Sequence, residues 1–144
     1  MIRTAAMTMT LLFAGLFAGA ALADGDAAKG EALTAKRCKA CHTISNGDEV
    51  LLKGGKTGPN LYGVIGRAAR AGEDFKYGDD IIAAGEKGLV WDEAQIAAYI
   101  EDPRTFLRAY LDDGKARSKM VFKLRDEDDR ADVAAYLASI GVSP

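Results

Sequence analysis

The only two cysteines and the only histidine of this 144-residue chain fall within five positions, as Cys38-Lys39-Ala40-Cys41-His42. Two thiols three positions apart, followed at once by an imidazole, form the attachment signal for a c-type haem. Each thiol adds across one vinyl group of a single porphyrin. The next residue then sits under the ring, where His42 offers a nitrogen to iron as proximal ligand. Three other chemistries could use the same residues. Any C-x-x-C pair can oxidise to a disulfide. A thioredoxin-like redox pair expects a βαβ setting, and no alternating strand pattern surrounds this one. A structural zinc site needs four protein ligands, and two cysteines with one histidine fall short. Weighed together, these favour haem attachment.

A sixth iron ligand has to come from elsewhere in the chain. Met1, Met7 and Met9 lie in the first 23 residues, which read as an export signal, so Met120 is the one methionine of residues 24–144. Methionine usually fills gaps in a core. Ser118-Lys119-Met120-Val121-Phe122, between helices and beside lysines, is an odd place for filler. With no second histidine, Met120 is the best candidate. A His/Met pair raises the reduction potential, because thioether sulfur favours ferrous iron, and it fills the position that oxygen or peroxide chemistry would need.

In residues 1–23 Arg3 is the only charge, Leu11–Leu22 is apolar apart from small residues, and Ala21-Leu22-Ala23 gives an A-x-A cleavage pattern before Asp24. The competing reading is a retained anchor, since Ala5–Ala23 is uncharged for 19 residues, close to the ~20 needed to span a bilayer. The small residues at its end and the abrupt change to Asp24-Gly25-Asp26 favour cleavage. Residues 24–144 would then form one small domain of 121 residues, with 18 Lys/Arg against 21 Asp/Glu and a formal charge of −3. No bulk basic character points to nucleic acid.

The elements that must position these residues read as helices. Asp26–Arg37 forms the first, capped by Asp26 and ending at the cysteines, with Gly30 inside it suited to the close approach of another helix. Thr43–Tyr77 is glycine-rich and aperiodic, a loop whose length makes sense if it packs on a large flat cofactor. Asp79–Lys87 is a short helix stopped by Gly88. Asp92–Asp102 begins with a capping-box variant, Asp92 and Gln95. Pro103 opens the next helix, which Gly114 closes. Asp126–Ile140 carries acids in its first turn, where the macrodipole favours them, and an apolar face of Val133, Tyr136, Leu137 and Ile140. The reading is all-α: short helices and long loops around one cofactor.

The chain resembles the class I cytochromes c, and within them the bacterial cytochromes c2. The resemblance runs over nearly all of residues 24–144. It includes Gly25-Asp26, Gly30, Cys38–His42, Thr57-Gly58-Pro59-Asn60-Leu61, Gly66-Arg67, Phe75-Lys76-Tyr77, Trp91 and Tyr99. Pro103, Lys119-Met120 with Phe122, and the Arg130-Ala131-Asp132…Ala135-Tyr136-Leu137 ending complete it. It implies a small single-domain fold wrapped around one haem c, bonded through Cys38 and Cys41 and ligated by His42 and Met120. It implies that the Pro59 carbonyl takes the histidine's other N–H. Arg67, Tyr77 and Trp91 match positions that hydrogen-bond around the propionates, and Tyr99 matches a tyrosine whose hydroxyl reaches the methionine sulfur.

Two departures stand out. The first-helix aromatic of many members falls here at Leu33 or Thr34, which predicts looser packing of the terminal helices. Ala109–Arg117 is longer than in mitochondrial members, as in the longer c2 form. The function implied is electron transfer, not enzymatic catalysis: a soluble, monomeric periplasmic carrier. It would take electrons from quinol–cytochrome c reductase and pass them to a photosynthetic reaction centre or a terminal oxidase. A haem peroxidase or gas-binding protein would need a vacant or labile sixth position, and a thiol oxidoreductase would use Cys38 and Cys41 without haem.

Charge is segregated. Arg104–Arg125 holds seven Lys/Arg and two acids, net +5, and Asp126–Asp132 holds five acids and one Arg, net −4. The resemblance implies that basic positions dock onto acidic patches of both partners, so Arg37, Lys56, Arg104 and Lys119 are the expected contacts, with Lys87 as a distal comparison.

Overall fold

The computed structural model describes residues 24–71 and 75–141; the expected leader, residues 1–23, lies outside them. Among the described residues the chain order is α1 (Ala27–Arg37), β1 (Ile44–Asn46), β2 (Glu49–Leu52), α2 (Asp79–Glu86), α3 (Glu93–Glu101), α4 (Pro103–Leu111) and α5 (Glu127–Ser139). The fold is helix-dominated, as expected, with one small sheet.

Aspartates start four of the helices. Asp26 accepts from the N–H groups of Ala28 and Lys29 at 3.0 and 3.1 Å. Asp92 accepts from Gln95 at 2.7 Å, Asp102 from Thr105 at 3.1 Å and Asp126 from Asp129 at 3.0 Å. Such a cap contributes about 1 kcal/mol. Asp102 ends α3 and caps α4 with Pro103 at the first position, so one residue turns the chain between two helices. α4 closes sooner than the sequence suggests. Asp112, in the left-handed region at φ 55°, ends it rather than Gly114; aspartate is among the few residues that visit this region.

The terminal helices α1 and α5 pack closely, contrary to the looser packing expected. A side chain at Gly30 would place its Cβ 1.9 Å from the carbonyl oxygen of Asp132, so only glycine permits the crossing. Asp26 N–H donates to Oδ1 of the buried Asp132 at 2.6 Å and pins the start of α1 to α5. Thr34 fills the interface where an aromatic was expected, and is buried.

The stretch after the cysteines is not structureless. β1 and β2 form an antiparallel hairpin around the two-residue turn Gly47-Asp48, with Gly47 at φ 58°. The Asn60 side chain ties the free edge of β1, accepting from Ser45 N–H at 3.1 Å and donating to its carbonyl at 2.8 Å. Further on, Gly66 N–H donates to Trp91 O at 2.7 Å, and Trp91 N–H to Arg67 O at 2.9 Å. The core beneath gathers Ile44, Leu89, Trp91, Ile96, Leu107, Leu124, Val133 and Leu137. No helix among the described residues is long and apolar enough to cross a membrane.

Candidate haem site

The C-x-x-C-H motif lies on a turn that prolongs α1. Cys38 N–H donates to Thr34 O, and Cys41 and His42 N–H both donate to Cys38 O, at 3.1 and 2.9 Å. Cysteines three apart on a helical turn share a side, which suits two thiols meeting one flat group. They are not joined to each other; Cys38 is half-buried and Cys41 exposed. Burial, and Cys41 beside it, push the Cys38 thiol up to about 11 against the pull of Arg37.

His42 is buried, and its Nδ1 lies 2.7 Å from the Pro59 carbonyl oxygen. A carbonyl only accepts, so Nδ1 carries the proton and Nε2 keeps its lone pair. Burial holds the imidazole below its ordinary pKa, and the Pro59 carbonyl draws it partly back. The loop that brings Pro59 here is anchored to the motif: Gly55 N–H donates to Lys39 O at 2.9 Å and Gly58 N–H to Cys41 O at 2.8 Å. Gly58 lies against the imidazole, where a Cβ would come within 2.4 Å of Cε1. A neutral imidazole with a fixed tautomer and a free Nε2 has the chemistry of an iron ligand.

Met120 sits in the irregular segment 112–126 between α4 and α5, half-buried against the core. Its N–H donates to Ser118 Oγ at 3.2 Å, and the same Oγ lies 3.1 Å from the Tyr99 hydroxyl. The phenol therefore meets Ser118 rather than the methionine sulfur expected from the resemblance, and Ser118, a partner the sequence reading did not pick out, links it to the Met120 backbone. Burial raises the Tyr99 pKa, and Ser118 works against that rise.

Side chains hold this segment. Lys119 Nζ donates to the carbonyls of Lys76 and Tyr77 at 2.8 and 3.3 Å. Arg37 lies over the Phe122 ring, 5.8 Å from its centroid. Lys123 pairs with Asp102. Two of the cations expected to meet a partner, Arg37 and Lys119, therefore have work inside the molecule.

Arg67, Tyr77 and Trp91 come together from separate stretches. Arg67 donates to Asn60 O at 2.8 Å and to Tyr62 O at 3.4 Å. Its charge also lowers the Tyr77 phenol, which burial raises more strongly. Trp91 is bridged to Arg67 by backbone and packs on Tyr99 at 5.0 Å between ring centroids. The donor set fits a c-type haem: two thiols on one turn, one imidazole with a free Nε2, one thioether. Leu61, Ile65, Ile81 and Phe122 are half-exposed apolar residues that pack on the core.

Comparison with known proteins agrees. The cytochrome c family model matches residues 27–141. Cytochrome c-551 of Roseobacter denitrificans is 53% identical over 144 residues, 99% of each chain. Cytochrome c2 of Rhodobacter capsulatus is 52% identical over 118 residues, 81% of this chain and 83% of that one. The solved structure of cytochrome c2 from Paracoccus denitrificans superposes with a TM-score of 0.77 at 49% identity, covering 82% of this chain and 98% of that one. A family match over most of the chain, together with the two cysteines and histidine in order, leaves one assignment: the chain belongs to the cytochrome c family, an electron-transfer protein rather than an enzyme, with one haem c bonded through Cys38 and Cys41.

Proposed function

We propose that this protein is a soluble, monomeric periplasmic one-electron carrier whose iron is ligated by His42 and Met120. It takes electrons from quinol–cytochrome c reductase and delivers them to a photosynthetic reaction centre or a terminal oxidase. The observation that carries the reading is His42, whose Nε2 is left free by the Pro59 bond; that Met120 is the one methionine of residues 24–144 supports it as the second ligand. Haem c supplies a one-electron couple, and a thioether opposite an imidazole sets that couple high.

The chain's own residues do the rest. Pro59 fixes the tautomer of His42, and Gly58 keeps the ring's approach clear. Ser118 and Tyr99 hold the Met120 backbone. Arg67, Tyr77 and Trp91 stand where propionates would be hydrogen-bonded. Residues 1–23 direct export and are removed before Asp24. Arg37, Lys56, Arg104 and Lys119 supply the positive field toward acidic partners.

Acid–acetone treatment of the exported protein tests the attachment: thioether-bound haem stays on the polypeptide, and extractable haem would contradict it. Mass spectrometry of the same material should give a chain starting at or near Asp24. A haem-bearing species that keeps residues 1–23 and pellets with membranes would show an anchor instead.

A further inference from the structure

We infer that β2 is a pairing edge for a second copy of this chain: two copies join antiparallel through Glu49–Lys53, centred on Leu51, as a weak two-fold dimer. The carrier is monomeric when dilute, and the pairing belongs to concentrated protein.

The two edges of the hairpin differ. Asn60 closes the outer edge of β1 through the N–H and carbonyl of Ser45. Among the described residues no hydrogen bond reaches β2 except from β1. An open strand edge is a row of donors and acceptors ready for another strand. Its apolar side chains invite one, since Val50 is 55% exposed and Leu51 42%. Leu51 is also the residue that the hairpin leaves over. β1 pairs Ser45 with Val50 and Ile44 with Leu52, so the bulge between them gives Leu51 no partner.

The sequence of this edge, Glu49-Val50-Leu51-Leu52-Lys53, selects the occupant. A two-fold contact sets the same segment against itself. With Leu51 opposite its own copy, Val50 meets Leu52 and Glu49 meets Lys53, twice each. Both charges are exposed, and neither makes an ion pair among the described residues. Opposite charges across an antiparallel pair stabilise it, and like charges oppose it. Parallel pairing in register would set Glu49 on Glu49 and Lys53 on Lys53, so the charged ends also choose the direction. The bulge and the length of four residues keep the edge from extending further. Two such strands bury less than the ~1,200 Å² of a stable interface, so the dissociation constant is on the order of 1 mM.

The test uses the reduced, haem-loaded protein from Asp24 onward. Amide NMR spectra and sedimentation velocity are recorded from about 0.05 to about 2 mM, on either side of that constant. The wild type should show concentration-dependent shifts centred on residues 49–53, with a sedimentation coefficient that rises in step. Glu49→Lys and Lys53→Glu should each stay monomeric alone, because each sets like charges opposite one another. An equimolar mixture of the two should recover the association, because every charge of one copy then meets its opposite on the other. Glu49→Lys also brings the acidic chain nearer neutrality, which favours non-specific association, so its loss of pairing isolates the edge. Leu51→Lys puts two ammonium groups together at the centre and should abolish pairing in every mixture. All variants should keep the wild-type optical spectrum.

A wild type that stays monomeric throughout overturns the proposal. So do charge variants that associate like the wild type, or a mixture that remains monomeric. Shifts confined to residues 104–132 would mean that the basic block of one copy meets the acidic run of another, which overturns it as well. None of these results bears on the iron ligands, which Met120→Ala tests separately.

Discussion

The ring of His42 is held from two sides, by the Pro59 carbonyl on Nδ1 and by the bare α-carbon of Gly58 against its atoms. Gly58→Ala would put a methyl 2.4 Å from Cε1, and overpacking of this kind costs about 1–3 kcal/mol. The variant should unfold at lower denaturant and show a shifted reduction potential; wild-type values for both would remove Gly58 from the ligand's support. Thr34 is the opposite case. It is buried in the α1–α5 interface, and its hydroxyl has no hydrogen-bond partner among the described residues. Thr34→Val keeps the shape and removes the desolvated hydroxyl, so it should stabilise by about 1 kcal/mol, read as a higher denaturation midpoint. A lower midpoint would mean that the hydroxyl is satisfied. The motif made the cysteines and histidine legible in sequence. Ser118 was not, because its role depends on a contact with Tyr99, 19 positions away in sequence.

Helices were legible from their caps and periods, since aspartate starts and apolar faces act locally. The hairpin was missed because its strands are three and four residues long, too short for a period to show. The Gly47-Asp48 turn between two β-prone runs was the available signal. The Met120 segment has no regular structure to predict; long-range side-chain ties hold it, which a linear pattern does not reveal. Asp102 belongs to this scale, because it joins α3 to α4 and anchors Lys123. Hydrogen bonds from Lys123 and from the Thr105 N–H take its carboxyl from 3.8 down to about 2. The folded pKa lies below the unfolded one, so this contribution to stability is full above pH 3.8 and is lost as pH falls toward 2. Asp102→Asn should therefore lower stability at neutral pH and flatten the stability profile between those limits. Denaturant titrations across that range check it, and parallel profiles for the two proteins would contradict it.

At the scale of the whole molecule, a net acidic chain carries a block of net positive charge around Met120. Complementary fields raise encounter rates, and salt screens them over about 10 Å at 0.1 M. Electron transfer under second-order conditions should slow steeply with ionic strength, and a flat response would remove the docking role of the block. The segregation was legible in sequence; the use of each charge was not. Lys87, expected to be an inert distal cation, donates to the Tyr110 carbonyl at 2.7 Å and ties α2 to α4, so reversing it perturbs the fold as well as the field. Lys119→Glu and Arg37→Glu should likewise alter the methionine ligation as well as association, whereas Arg104→Glu should alter association alone. All of this presupposes one iron held between His42 and Met120, and the optical and redox behaviour of Met120→Ala tests that most directly. The variant should lose the weak ferric sulfur-to-iron band at the red end of the spectrum, fall in reduction potential and bind carbon monoxide. A Met120→Ala protein with the wild-type band and potential would contradict the account.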